Sequence, residues 1–233
     1  MKYVNPYNTV EFYVGDITEP QTIKIYTDLK TSVDIEVSEG NKWYTYVLPK
    51  DKGLYKIYGN TVKKVVVKAD ISYKGGNHMY PPESIIYKTT IEASFKGSNT
   101  SNITSMYGMF AVCSNLTSLD VSSFDTSNVV DMSEMFYGCS NLTSLDVSHF
   151  NTSNVTQIEQ MFHYCDNLQT LDLSGWDLTN LRVIGGLPPT YGLFTYCKSL
   201  NLIYMRGCNQ NTIDKIKSAL TEARIQDQVT IIT

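Results

Sequence analysis

The stretch Met109-Phe110-Ala111-Val112-Cys113-Ser114-Asn115-Leu116-Thr117-Ser118-Leu119-Asp120-Val121-Ser122-Ser123-Phe124-Asp125-Thr126-Ser127-Asn128-Val129 returns, little altered, 26 residues later as Met135 to Val155. Self-similarity at a fixed step of this size is the mark of stacked repeats. The step holds at several columns. Asn102-Ile103, Asn128-Val129, Asn154-Val155 and Asn180-Leu181 follow one another at 26 residues. Met109-Phe110, Met135-Phe136 and Met161-Phe162 do the same, and Leu193-Phe194 arrives after 32. Leu116, Leu142, Leu168 and Leu200 obey the same rule, as do Cys113, Cys139, Cys165 and Cys197. The extra residues of the last interval fall in 184–190, where Gly185-Gly186 and Pro188-Pro189 mark an inserted loop.

The apolar spacing changes character within one unit. Met106, Met109, Phe110 and Cys113 stand at i, i+3, i+4 and i+7, which predicts a two-turn helix. Asp131-Met132-Ser133-Glu134 resembles a capping box opening the next one. From Leu116 the pattern switches to alternation, with Leu119 and Val121 on one side and Ser118, Asp120 and Ser122 on the other, which predicts a short strand. The segment 123–127 brings the chain back, with Phe124, Phe150 and Trp176 as recurring anchors. A unit this small cannot bury its apolar face alone, so successive units must stack and share a core. The strands then form a parallel sheet with neighbours ~4.8 Å apart.

The pattern MF…C.NLTSLDVS.F.TSNV, over roughly 100–206, resembles the BspA-like family of bacterial surface leucine-rich repeats. The resemblance implies an α/β leucine-rich-repeat solenoid on a surface or secreted protein with a role in adhesion. Similar units occur in gut bacteria and their phages.

Ahead of the repeats, alternating runs at Val10 to Val14, Thr22 to Tyr26, Ser32 to Val37, Lys42 to Leu48, Leu54 to Tyr58 and Val62 to Ile71 are separated by turn signals such as Glu39-Gly40-Asn41 and Asp51-Lys52-Gly53. They predict an antiparallel β-sandwich over 1–71. The stretch from Val33 through Trp43-Tyr44-Thr45 to Gly59 resembles a shortened PKD-type, immunoglobulin-like domain. Residues 72–99 read as a connector and N-terminal cap of the solenoid, and 100–206 as the repeats themselves. Residues 207–233 read as a C-terminal cap built from a capped amphipathic helix over Asn211 to Leu220 and a strand over Val229 to Ile232.

Composition narrows the function. With 42% apolar and 18% charged residues the chain can bury a core. No apolar run approaches the ~20 residues of a membrane-spanning helix, so no membrane insertion is expected. Lys2 is followed by no apolar run that would make a secretory leader. That reading favours a virion surface component, in a capsid or tail fibre, released by lysis. The alternatives are a bacterial surface adhesin whose export signal is missing, or a cytosolic protein-interaction scaffold. From Gly97 to Leu181 there is no Lys or Arg against nine Asp and Glu, a surface that repels phosphate backbones. Nucleic acid is therefore excluded as a partner. The cysteines number five, none before residue 113; Cys113, Cys139, Cys165 and Cys197 follow the repeat rather than metal-ligand spacing, Cys208 stands outside it, and they read as buried free thiols.

No phosphate loop, HExxH or GxSxG appears. We expect no enzyme, no catalytic residue, no metal and no cofactor. His78, His149 and His163 are single residues expected to face solvent. Stacking the strands places Ser118, Ser144 and Thr170 in one column, with Asp120, Asp146 and Asp172 in the next and Tyr204 ending it. This polar strand face is the candidate binding site, with a protein or surface glycan as ligand. A hard cation on the Asp column is the weaker use. The 17 Tyr, concentrated between residues 3 and 107, supply contact area of the kind found in interfaces, and self-association through the N-terminal region is expected.

Overall fold

The computed structural model of the chain describes residues 8–28, 30–73, 84–182 and 192–233. The expected loop at 184–190 and His78 lie outside the described residues. Twelve strands and a single helix are found among those residues: β1 (Thr9–Val14), β2 (Gln21–Tyr26), β3 (Ser32–Val37), β4 (Lys42–Val47), β5 (Lys56–Tyr58), β6 (Val62–Lys68), β7 (Glu92–Ser94), β8 (Ser118–Asp120), β9 (Ser144–Asp146), β10 (Thr170–Asp172), β11 (Leu202–Tyr204), α1 (Gln210–Glu222) and β12 (Thr230–Ile232). The chain is a β-solenoid of about five turns, which corrects the α/β leucine-rich-repeat solenoid expected from the sequence.

The correction lies in the segment that holds Met106, Met109, Phe110 and Cys113. All four are buried, as the spacing requires, but the backbone between them is not helical. The N–H groups of Met106, Gly108, Phe110 and Val112 donate forward to the carbonyls of Asp131, Ser133, Met135 and Tyr137 in the next coil, at 2.8, 3.0, 2.8 and 2.6 Å. The intervening N–H groups of Met109, Ala111 and Cys113 close turns onto residues 106, 108 and 110. An α-helix would send every N–H four residues back. Here alternate donors leave the segment, and the chain accommodates this by left-handed residues at Gly108 (φ 63°) and Val112 (φ 60°), conformations that a right-handed helix excludes. The arrangement recurs at Glu134 and Gly138 and at Gln160 and Tyr164. The capping-box reading fails for the same reason. Asp131 accepts the N–H of Ser133, two residues on, at 2.8 Å, and Glu134 accepts the Tyr107 hydroxyl at 3.0 Å.

The strands do form where alternation placed them. β9, β10, β11 and β12 pair in parallel and in register, with Leu145, Leu171, Ile203 and Ile231 on one row. The N-terminal runs are strands as well, but they do not close into a sandwich. β1 pairs antiparallel with β4 and β6, and β2 with β3 and β5. β6 then offers its second edge in parallel to β7, and β7 to β8, giving one sheet in the order β4-β1-β6-β7-β8. A sandwich would seal its own core. Instead Val65, Ala93 and Leu119 share a row, and Phe12, Ile23 and Val67 belong to the same buried cluster as Phe95, Phe110 and the rest of the solenoid.

Buried columns hold the coils together. Phe110, Phe136, Phe162 and Phe194 stack face to face with centroids 5.7, 5.7 and 5.8 Å apart. The Thr-Ser-Asn motif has an equally direct cause. Thr100, Thr126 and Thr152 are buried, and their hydroxyls donate to the carbonyls of Asp125, Asn151 and Asp177 one coil ahead, at 3.0, 3.1 and 3.0 Å. The Asn128, Asn154 and Asn180 amides reach back to the carbonyls of Ser101, Ser127 and Ser153 at 2.9, 2.8 and 2.8 Å. At the far end α1 takes over: its Thr212 hydroxyl accepts the Leu178 N–H at 2.9 Å, and Ile213, Ile216, Ala219 and Leu220 cover the last coil. Asn209 caps this helix by accepting the Thr212 N–H at 2.8 Å.

Two substitutions test this account by denaturant unfolding. Thr152→Val keeps the shape but strands the Asp177 N–H and carbonyl, and is expected to cost about 1–3 kcal/mol, whereas Thr152→Ser is expected to cost less. Gly138→Ala, whose added carbon would sit 3.5 Å from the nearest heavy atom, has room. Its expected cost of about 1–2 kcal/mol comes from the left-handed backbone alone.

Candidate functional site

The strand face is built by alternation. In β9 and β10 the central Leu145 and Leu171 point into the core, so Ser144, Asp146, Thr170 and Asp172 point out. Parallel pairing sets Ser144 beside Thr170 and Asp146 beside Asp172, and then Asp172 beside Tyr204. These five candidate residues therefore share one four-stranded sheet. Ser118 and Asp120 do not join them: β8 closes the other sheet, where they lie beside Glu92 and Ser94. At this seam the carbonyl of Val121 is taken by the Nε2–H of His149 at 2.8 Å. The neighbouring columns, through Met106 and Phe110, remain bonded across it.

Each Asp of the column has a local task. The Oδ1 atoms of Asp120, Asp146 and Asp172 accept the N–H groups of Ser122, Ser148 and Ser174 at 3.0, 3.0 and 2.9 Å, closing the turn that ends each strand. The hydrogen bonds from Ser122 and Ser148 hold the carboxyls of Asp120 and Asp146 below their usual range. The Asp120 and Asp146 carboxylates are thus charged, and the turn bonds fix all three in orientation. Tyr204 follows Asp172 in the row, with Ile232 of β12 beyond it, and carries Arg206 over its ring, 5.0 Å from the centroid. Arg206 thus sets a positive charge beside the polar residues of the strand face.

The other polar or nucleophilic groups serve packing. Cys139, Cys165 and Cys197 are buried free thiols that donate to the carbonyls of Phe110, Phe136 and Phe162 at 3.2, 3.2 and 2.9 Å. Burial pushes the Cys197 thiol up to about 12 and Cys139 well above its ordinary value, which leaves little thiolate for chemistry. No group of three or more His, Cys, Asp or Glu side chains suited to a metal occurs among the described residues. A shallow groove of about 380 Å³ between α1 and β12 is lined by Lys217, Leu220, Thr221, Gln226, Val229 and Ile231, with no carboxylate or imidazole among them.

His163 departs from expectation. It was expected to face solvent but is only 4% exposed. The Tyr137 ring stacks on it at 5.4 Å, and the rings of Tyr164 and Tyr196 pack against it edge-on. Tyr164 and Tyr196 stack on each other at 4.5 Å, both at left-handed backbone positions. The sequence signal for this ridge was present, since Gly138, Tyr164 and Tyr196 fill one column of the repeat, two residues past the phenylalanine.

Residues 83–187 match the model of a protein family described as Mycoplasma protein of unknown function, DUF285. No curated protein matches the chain. The family match and the solenoid are compatible with a BspA-like repeat. They lend no support to the PKD-type resemblance of the N-terminal strands.

Burial holds the His163 imidazole below its ordinary value, so the unfolded chain binds a proton there that the folded chain refuses. Stability is expected to be full above the unfolded value of about 6.5 and to fall as the pH drops from there through the lower folded value. His163→Tyr, matching Tyr137 in the preceding coil, is expected to flatten that part of the profile. An unchanged pH dependence of the unfolding midpoint in the variant would count against the assignment.

Proposed function

We propose that this chain is a non-enzymatic recognition and display module of a surface-exposed protein, on a cell or a virion, and that the strand face of β9, β10 and β11 reads a hydroxyl-rich ligand such as a surface glycan. One observation carries the reading. Asp146 and Asp172 stand side by side with one oxygen each fixed by the turn, leaving the other oxygen to accept from a ligand, and Tyr204 offers an aromatic ring next in the row. Acceptors held in place lose little entropy on binding. Apart from Arg206 beside Tyr204, the coils that supply β9 and β10 bring no Lys or Arg between Gly97 and Leu181, which favours neutral saccharides or protein donors over nucleic acid and sulfated chains. The rigid stack suits display, because each coil is held to its neighbours by buried bonds rather than by a hinge.

The reading is tested by binding of the full chain to arrayed neutral and sulfated glycans. Binding confined to neutral glycans is expected. An Asp146→Ala, Asp172→Ala, Tyr204→Ala triple variant that stays folded by circular dichroism should lose about tenfold or more in affinity, the loss of a few hydrogen bonds and one stacked ring. Full binding by the folded triple variant would remove the strand face from consideration. Turnover of any bound glycan would overturn the non-enzymatic part.

A further inference from the structure

Among the described residues one edge of the five-stranded sheet lies at β4. Among the described residues β4 pairs on one side only, with β1. An open strand edge is a template for another strand, and proteins usually guard it with charge, proline or a bulge. Over its six residues, Lys-Trp-Tyr-Thr-Tyr-Val, β4 has a single charge, Lys42, at its first position. It also carries two of the most exposed large apolar side chains described, Val47 at 65% and Trp43 at 46%.

The alternation along β4 decides which strand fits. Trp43, Thr45 and Val47 point to solvent, while Tyr44 and Tyr46 turn inward and are half-buried against the core. Two rings are already fixed within the chain: Tyr44 stacks on Phe12 at 5.7 Å, and Trp43 meets Tyr13 edge-on at 5.7 Å. An antiparallel partner must match outward residues with outward ones. β4 does this with itself when Thr45 lies opposite Thr45. Trp43 then faces Val47 twice on the outer side, Tyr44 faces Tyr46 twice on the inner side, and Lys42 faces Leu48, with no like charges opposed. Aromatic with β-branched and Thr with Thr are favourable cross-strand pairs. A twofold contact of this kind closes on itself and makes a dimer rather than a fibre.

We infer that β4 is a self-association edge, at which two copies of this chain join antiparallel about Thr45 into one continuous sheet. The strand face of β9 to β11 lies on the other sheet, so the inference stands apart from the reading of that face.

The test uses the full chain in size-exclusion chromatography with light scattering over a concentration series. A concentration-dependent dimer is expected. Thr45→Lys changes an exposed residue and sets two like charges opposite one another at the axis, and is expected to weaken the dimer about tenfold or more. Thr45→Cys, placed in a Cys208→Ser background because Cys208 is only half-buried, probes the register: directly opposed residues have Cα atoms about 4.5–5.5 Å apart, within disulfide reach, so mild oxidation should link two copies, while Cys113, Cys139, Cys165 and Cys197 stay buried. A strict monomer at every concentration overturns the inference. So does a dimer that tolerates Thr45→Lys in a variant with an unchanged circular dichroism spectrum and gives no Thr45→Cys cross-link, because association then lies elsewhere.

Discussion

Everything in this molecule depends on each coil satisfying its polar groups with the coil beside it. Within a unit of 26 residues the turns bond only part of the backbone, and the three-residue strands have no partner of their own coil, while buried N–H and carbonyl groups without partners cost more than the net gain from a bond that is made. The chain answers with bonds that run coil to coil: main-chain bonds at the strands and at the corner through Phe110 and Phe136, hydroxyl bonds from Thr126 and Thr152, and amide bonds from Asn128 and Asn154. The aromatic columns follow from the same registry, since identical side chains at identical heights must stack.

This constraint explains what could be read in the sequence and what could not. The period, the strand positions and the inward columns were legible because burial imposes a pattern on residue type. The corner was not. Met106, Met109, Phe110 and Cys113 are buried at i, i+3, i+4 and i+7 in a helix and equally in a β-arc that turns twice through left-handed residues. Side-chain burial is the same in both, and only the direction of the N–H groups differs. A signal existed in Gly108 and Gly138, but the positions aligned with them hold Glu134, Gln160, Val112 and Tyr164, which hide it. Inter-coil bonding holds these residues in a conformation they would otherwise avoid.

The N-terminal strands show the complementary limit. Their alternation marks six strands accurately, yet strand identity says nothing about which edge meets which. β6 alternates as it would in a sandwich, but its second neighbour is β7, parallel and more than twenty residues onward. Parallel pairing of that kind depends on the shape of the whole stack. The result is one core where the sequence pattern implied two.

For the candidate site, repetition itself is the difficulty. A column that recurs in every coil is explained first by what every coil needs, and the Asp column meets such a need by closing the turn after each strand. Its recurrence is therefore no argument for a ligand. What distinguishes β9 to β11 is the departure from repetition: the row of Asp146 and Asp172 passes to Tyr204 and then Ile232, and the row of Ser144 and Thr170 passes to Leu202 and then Thr230. Recognition needs a surface that differs from one coil to the next, because an unvarying row would offer every position along it the same affinity. If the strand face binds as proposed, its specificity is expected where the rows change, around Tyr204, with the repeated carboxylates supplying acceptors already held in place for other reasons.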